Sequence, residues 1–263
     1  MHYKIRYSCL SHIGNIRSVN QDNYICDGCY MDTGDTPIEF PLCGTKISKE
    51  NSLFGIFDGM GGEECGEIAS YIASKTASTI EIGKEATADL SMFCHKANAE
   101  ICDYATSREV SAMGTTAAML AFTEKEVVLC NIGDSKIFRL CDGALEQISK
   151  DHVAVSAFGV KPPLSQNLGI PPDELVIDPY LALGAYNDGD VYLICSDGLT
   201  DMVPNEEITQ ILISEPIEEA IMLLLDRALA NGGKDNTTII LCKIERQSGW
   251  FFKRKRHTKR KEV

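Results

Sequence analysis

A chain of 263 residues with 44% apolar content has the material to bury a sizeable core, and nothing in its composition points to disorder. The net charge of −13 disfavours a polyanionic ligand, so nucleic acid is not an expected partner. No run approaches the ~18 apolar residues of a membrane span and the N-terminus lacks an apolar leader, which predicts a soluble, cytoplasmic protein.

Tyr3, Ile5, Tyr7 and Cys9 alternate with Lys4, Arg6 and Ser8, the period of a half-buried strand. A second strand over 53–57 stops at a Gly-rich turn, after which Ile68, Ile72, Thr76 and Ile80 fall at helical spacing. Leu90, Phe93, Ala97, Ile101 and Tyr104 make a second amphipathic helix. Strands over 115–122, 127–132 and 136–140 follow, the last closed by an Asp142-Gly143 hairpin turn. Residues 158–186 hold five prolines and little periodicity, so they read as an irregular, flap-like excursion of functional kind. Beyond it come a buried strand over 191–195, helices around 206–213 and 217–230, a Gly232-Gly233 stop and a last strand over 237–244. Leading strands and paired helices predict an α+β fold, an antiparallel sheet stack flanked by helices.

The eleven cysteines are spread along the chain, many in apolar runs, and read as buried reduced thiols. Cys26 and Cys29 form a lone C-x-x-C and Cys94-His95 an isolated pair, neither at zinc-site spacing. Residues 1–246 read as one domain and 247–263 as a basic tail. That tail holds seven of the 25 Lys/Arg and one of the 38 Asp/Glu, so the body is more acidic than the net charge suggests. Its first reading is a disordered, solvated tail. Trp250, Phe251 and Phe252 beside the basic cluster also suit peripheral contact with an anionic membrane, or with the protein's own acidic body.

Five aspartates stand in short turns beside apolar runs: Asp22 after Asn20-Gln21, Asp58 before Gly59-Met60-Gly61-Gly62, Asp134 after Gly133, Asp197 after Ser196, and Asp235 before Asn236. A carboxylate at the mouth of a buried strand is costly to desolvate unless a cation or donor meets it. Each one alone is more simply a turn former. Together, with no accompanying His or Cys cluster, they suit Mg²⁺ or Mn²⁺. The glycines after Asp58 let a backbone carbonyl, that of Gly59, share a cation with it; an ordinary Gly-rich turn is the alternative. Neither a dinucleotide fingerprint nor a P-loop is present. Ser196 and Asn236 can orient the neighbouring carboxylates. Arg17 has the side chain for bidentate phosphate capture, though alone it is more simply a surface arginine.

Read in order, these segments resemble the motif series of the metal-dependent Ser/Thr protein phosphatases, the PPM or type 2C family, in its bacterial form. They are Gly14-x-x-Arg17-x-x-Asn20-Gln21-Asp22, Phe57-Asp58-Gly59-Met60-Gly61-Gly62, Met113-Gly114-Thr115-Thr116, Asn131-Ile132-Gly133-Asp134-Ser135, Asp151-His152, Ser196-Asp197-Gly198 and Gly233-Lys234-Asp235-Asn236. The resemblance implies a four-layer αββα sandwich with two Mn²⁺ or Mg²⁺ ions at one end. Asp58 would bridge them, Asp197 and Asp235 would complete one ion, and the Gly59 carbonyl would ligate the other. Asp22 would hold metal-bound water, Asp134 with Asp197 a weaker third ion, and Arg17 the substrate phosphate. The implied activity is hydrolysis of phosphoserine and phosphothreonine in proteins by direct attack of a hydroxide held between the ions. A monomer with a cognate Ser/Thr kinase as a candidate partner is the matching expectation. Gln21 replaces a Glu common in the family, and Met60 a His that eukaryotic members carry. The rival readings are a catalytically silent binding module on the same fold, and a two-metal nuclease or small-molecule phosphatase.

Overall fold

Most strands of this chain are apolar on both sides, and the architecture supplies the reason: each of two stacked sheets is covered on both faces. The computed structural model describes residues 2–32, 40–61, 65–110, 112–155 and 162–247. One six-stranded antiparallel sheet is built from β1 (Tyr3–His12), β3 (Leu42–Ile47), β8 (Lys136–Cys141), β9 (Ala144–Gln147), β11 (Val191–Cys195) and β12 (Thr237–Arg246). Its spatial order is β3-β1-β12-β11-β8-β9. The second sheet runs β10 (Tyr180–Gly184), β7 (Val127–Ile132), β6 (Ala117–Phe122), β4 (Ser52–Gly61) and β2 (Asp22–Cys26), with β5 (Met113–Thr115) paired to the end of β4. Helices α1 (Gly66–Ser78) and α2 (Ala86–Arg108) pack on the second sheet, and α4 (Asn205–Ser214) and α5 (Ile217–Ala230) on the first. A single turn, α3 (Asp197–Thr200), follows β11.

The pleat divides each strand between two cores. On β4, Phe54 and Ile56 point between the sheets while Leu53 and Phe57 point to α1 and α2. On β12, Ile240, Cys242 and Ile244 face the other sheet while Ile239 and Leu241 face α5. Four layers therefore enclose three apolar interfaces. In the central one, Phe122 meets Phe54, Tyr186 and Tyr192 edge-on at centroid distances of 5.9, 5.8 and 5.4 Å. The Asp142-Gly143 turn has both residues at positive φ, 50° and 79°, and closes the β8–β9 hairpin as its sequence demands.

Four local expectations are corrected. Asp22 does not sit in a turn after an apolar run; it opens β2, whose five residues are all buried. Asp58 lies within β4, which continues through the glycines to Gly61 because β5 pairs with that extension. The 115–122 run is two strands broken at Thr116. The 158–186 excursion contains β10, a partly exposed edge strand paired with β7, too short to announce itself by period. Residues 158–161 of that excursion, and 248–263 of the basic tail, lie outside the described residues. All eleven cysteines are free, with Cys29 and Cys43 exposed. Among the described residues no helix is long and apolar enough to cross a membrane.

Candidate metal centre

Antiparallel pairing brings the acidic positions to one end of the sandwich. Asp22 and Asp58 are directly opposed across β2 and β4, so their side chains leave the same face. Asp134 stands in the turn between β7 and β8, Asp197 opens α3 at the exit of β11, and Asp235 lies just before β12. Arg17 comes from the β1–β2 loop, and its Nη2 donates to Asp235 Oδ2 at 2.6 Å. Arg17, Gln21, Asp58, Gly59, Asp134, Asp197, Asp235 and Asn236 all line one cleft of about 290 Å³. Met60, Pro162 and Leu164 complete its rim.

Asp22 sits beneath this cleft rather than in its wall, 3% exposed. Its Oδ2 accepts hydrogen bonds from Ser196 Oγ at 2.8 Å and Thr238 Oγ1 at 2.7 Å. Thr238 is in turn joined to Ser11, which accepts from Asn20. Asp58 is aimed by its backbone: its N–H donates to Thr116 Oγ1 at 3.0 Å, and its carbonyl accepts from Thr116 N–H and Thr115 Oγ1 at 2.9 and 3.0 Å. A Thr116–Ser135 hydroxyl contact of 2.7 Å ties that strand end to the Asp134 turn. The same turn is braced by His152, whose Nδ1 accepts from Gly133 N–H at 3.2 Å and whose burial holds its imidazole pKa below the usual value.

Asn236 clamps the loop that carries Arg17. Its Nδ2 donates to Ile13 and Val19 carbonyls at 2.9 and 3.0 Å, and its Oδ1 accepts from Gln21 N–H at 2.8 Å. The Gln21 side chain donates to Glu67 Oε2 at 3.4 Å, which links it to a carboxylate on α1. Two glycines are dictated by close approach. A Cβ on Gly59 would lie 2.1 Å from Gly66 O and 2.4 Å from Gln21 O. One on Gly14, at φ +82°, would lie 2.3 Å from Asp235 O.

The electrostatics of this end are strained. Burial, then the charges of Asp197 and Asp235, push Asp22 up to about 7 against the two hydroxyl donors that lower it. Asp58 is held well above the usual carboxylate range by burial and by Asp22, Asp197, Asp134 and Asp235. Among the described residues no three His, Cys, Asp or Glu side chains are gathered into a ready ion cage. Asp235 is turned to Arg17 and Asp22 to its hydroxyls, while the other acids share the cleft wall. An all-oxygen set of mutually repelling, desolvated carboxylates with an adjacent carbonyl fits a hard divalent cation, whose charge would relieve both penalties.

Every sequence-predicted site residue except Asp22 and Ser196 reaches the cleft wall, and those two form its buried support. Sequence reasoning missed Ser11, Glu67, Thr115, Thr116, Ser135 and Thr238 as supports. Thr115, Thr116 and Ser135 stand inside motifs that are visible in the sequence, but the partner of a hydroxyl is not written locally.

A family model described as Protein phosphatase 2C matches residues 42–228. The serine/threonine protein phosphatase PstP of Mycobacterium tuberculosis is 30% identical over 212 residues, which cover 73% of this chain and 40% of that protein. This chain thus spans about two fifths of that relative's length. The serine/threonine phosphatase stp of Listeria monocytogenes is 29% identical over 253 residues, covering 87% of this chain and 91% of the relative. The solved structure of the PstP catalytic domain with two manganese ions superposes with a TM-score of 0.76 at 27% identity, over 93% of this chain and all of that one.

Proposed function

The chain belongs to the protein phosphatase 2C family in its bacterial Ser/Thr phosphatase form, and from that premise we propose that it hydrolyses phosphoserine and phosphothreonine in proteins with two Mn²⁺ or Mg²⁺ ions. The observation that carries the reading is the single cleft lined by Arg17, Asp58, Asp134, Asp197 and Asp235. Asp58, Asp197, Asp235 and the Gly59 carbonyl would hold those ions. Asp134 with Asp197 would take a weaker third. When bound, such ions supply charge neutralisation and water made reactive at neutral pH.

The residues of the chain do the rest. Arg17, half exposed at the rim, is placed to leave Asp235 for a substrate phosphate, with a planar fork suited to two of its oxygens. Asp22, fixed by Ser196 and Thr238, lies under the floor with its proton favoured by burial; the charge of a nearby cation would draw it to the carboxylate form, which can orient a water. No cysteine lines the cleft among the described residues, and burial pushes the neighbouring Cys195 thiol up, which supports direct hydrolysis without a covalent thiol intermediate. Cytoplasmic placement, expected from the sequence, together with a monomeric state and a cognate Ser/Thr kinase that makes the substrates, expected from the family, completes the reading.

The test is phosphate release from a phosphothreonine peptide, with Mn²⁺ and with chelator, by the wild type and by Asp58→Asn. Release that needs metal and is lost in Asp58→Asn, with the circular dichroism spectrum unchanged, is the expected result. Metal binding without turnover would instead make the chain a silent binding module, and cleavage of nucleic acid in preference to phosphopeptide would make it a nuclease.

A further inference from the structure

A groove of about 700 Å³ neighbours the metal cleft. Met60 lines both. The groove floor is the β4–β5 ribbon, in which Met60 is paired with Gly114, and the same β4 carries Asp58 two residues earlier. One wall is the C-terminal end of α2; the other is the segment at residues 169–174, which follows the flap-like excursion's described start.

That second wall is built rather than draped. Asn98, 5% exposed on α2, accepts from Gly169 and Ile170 N–H at 2.7 and 3.1 Å and donates to Ile170 O at 2.9 Å. Gly169, at φ +105°, lies so close to Met113 that a Cβ would stand 2.4 Å from its carbonyl. The groove is therefore preformed, within the size range of ligand pockets.

Its chemistry is one-sided. Met60, Val110, Met113, Ile170 and Pro171 give an apolar floor and wall, while Asp103 and Glu109 on one bank face Asp173 and Glu174 on the other. Among the described residues no lysine or arginine lines it, and none of the four acids makes an ion pair. Arg108, next to Glu109 in the chain, is stacked over Tyr104 at 5.8 Å. The acids act together on the groove: Cys102 between them has its thiol pushed up by burial and by Asp103, Glu174 and Asp173.

We propose that this groove binds the polypeptide flanking the phosphoresidue, and that it selects phosphoprotein segments carrying arginine or lysine on one side of that residue. The proposal rests on the phosphatase reading above and adds the substrate class. An extended peptide with its phosphate between Arg17 and Asp58 passes Met60 to enter the groove. Two residues of strand from Asp58 to Met60 cover about 7 Å, which puts the basic side chain roughly two to four residues from the phosphoresidue. A long aliphatic stem on the apolar floor, with its cationic head between the acidic banks, matches both surfaces at once.

The experiment uses the Mn²⁺-loaded full chain and phosphothreonine peptides in which arginine is scanned through four positions on each side in an otherwise neutral sequence, with p-nitrophenyl phosphate as the small substrate. Expected is a rise in kcat/KM of about tenfold for arginine on one side only, carried by KM and weakened by salt. In Asp173→Asn/Glu174→Gln, and independently in Glu109→Gln on the opposite bank, the advantage should fall to about twofold. Turnover of p-nitrophenyl phosphate and neutral peptide with no arginine preference, or a preference unchanged in both variants, overturns the groove and leaves the phosphatase standing. No turnover of any phosphoester sinks the phosphatase reading and this one with it.

Discussion

Asp22 offers a direct test of the strained acidic end. A carboxyl moved by burial from an unfolded value of 3.8 to about 7 in the fold carries about 4 kcal/mol of pH-dependent stability. Between those values the folded protein holds a proton that the unfolded chain has released, so stability falls as pH rises. From pH 5 to pH 8, about 3 kcal/mol of it should be lost in metal-free protein, roughly 10 °C in melting temperature for a domain of this size. Asp22→Asn keeps an oxygen to accept from Ser196 and Thr238 but has nothing to ionise. Urea unfolding in chelator at pH 5 and pH 8 measures the effect, and the difference between wild type and Asp22→Asn isolates it from every other titration. The variant should be the more stable at pH 8 and nearly level with wild type at pH 5. Equal pH slopes for the two proteins would refute the claim that this carboxylate is held in the fold against its own charge.

Thr116→Val removes the acceptor for Asp58 N–H and the link to Ser135, a loss of about 1–3 kcal/mol in unfolding free energy, with weaker Mn²⁺ binding by calorimetry as the sign that Asp58 has lost its aim. Gly59→Ala drives a methyl into Gly66 O and Gln21 O and should cost more stability than Gly83→Ala, whose Cβ meets nothing closer than 3.4 Å; melting temperatures of the two decide it. Arg17→Ala should raise KM for phosphopeptide by about tenfold with kcat changed far less, since it removes binding held alike in ground and transition states. An unchanged KM would take Arg17 out of the phosphate site.

How much of this was legible follows from how local each signal is. The alternation in β1, the helical spacing of α1 and α2 and the Asp142-Gly143 turn are written within a few residues and were read. The edge strand β10 was not, because Tyr180–Gly184 is short, partly exposed and flanked by irregular chain, so neither period nor turn marks it. The acids stood out because carboxylates next to apolar runs are costly, yet Asp22's place under the cleft depends on the register with Asp58, a partner far along the chain. The hydroxyl supports were illegible for the same reason: Thr238 meets Asp22 across 216 residues of sequence. The acidic groove is the extreme case, since Asp103, Glu109, Asp173 and Glu174 share a surface only after α2 and the 169–174 segment are locked together by Asn98.

Magnitudes separate what holds this site from what is free to move in it. The Asp22 hydroxyl pair and the Thr116 clamp are buried and charge-assisted or backbone-directed, interactions of about 1–3 kcal/mol each that cannot be exchanged for water. The Arg17–Asp235 pair is the opposite. Its partners are 51% and 36% exposed, so it contributes at most about 1 kcal/mol despite its 2.6 Å length. That pair can therefore be broken at little cost, without disturbing the buried frame. Since one guanidinium cannot serve both Asp235 and a substrate, the proposed reading would have Arg17 leave Asp235 to bind phosphate. On that reading the weak contact is the one that substrate binding would break, and the strong ones would keep Asp58 and Asp22 aimed.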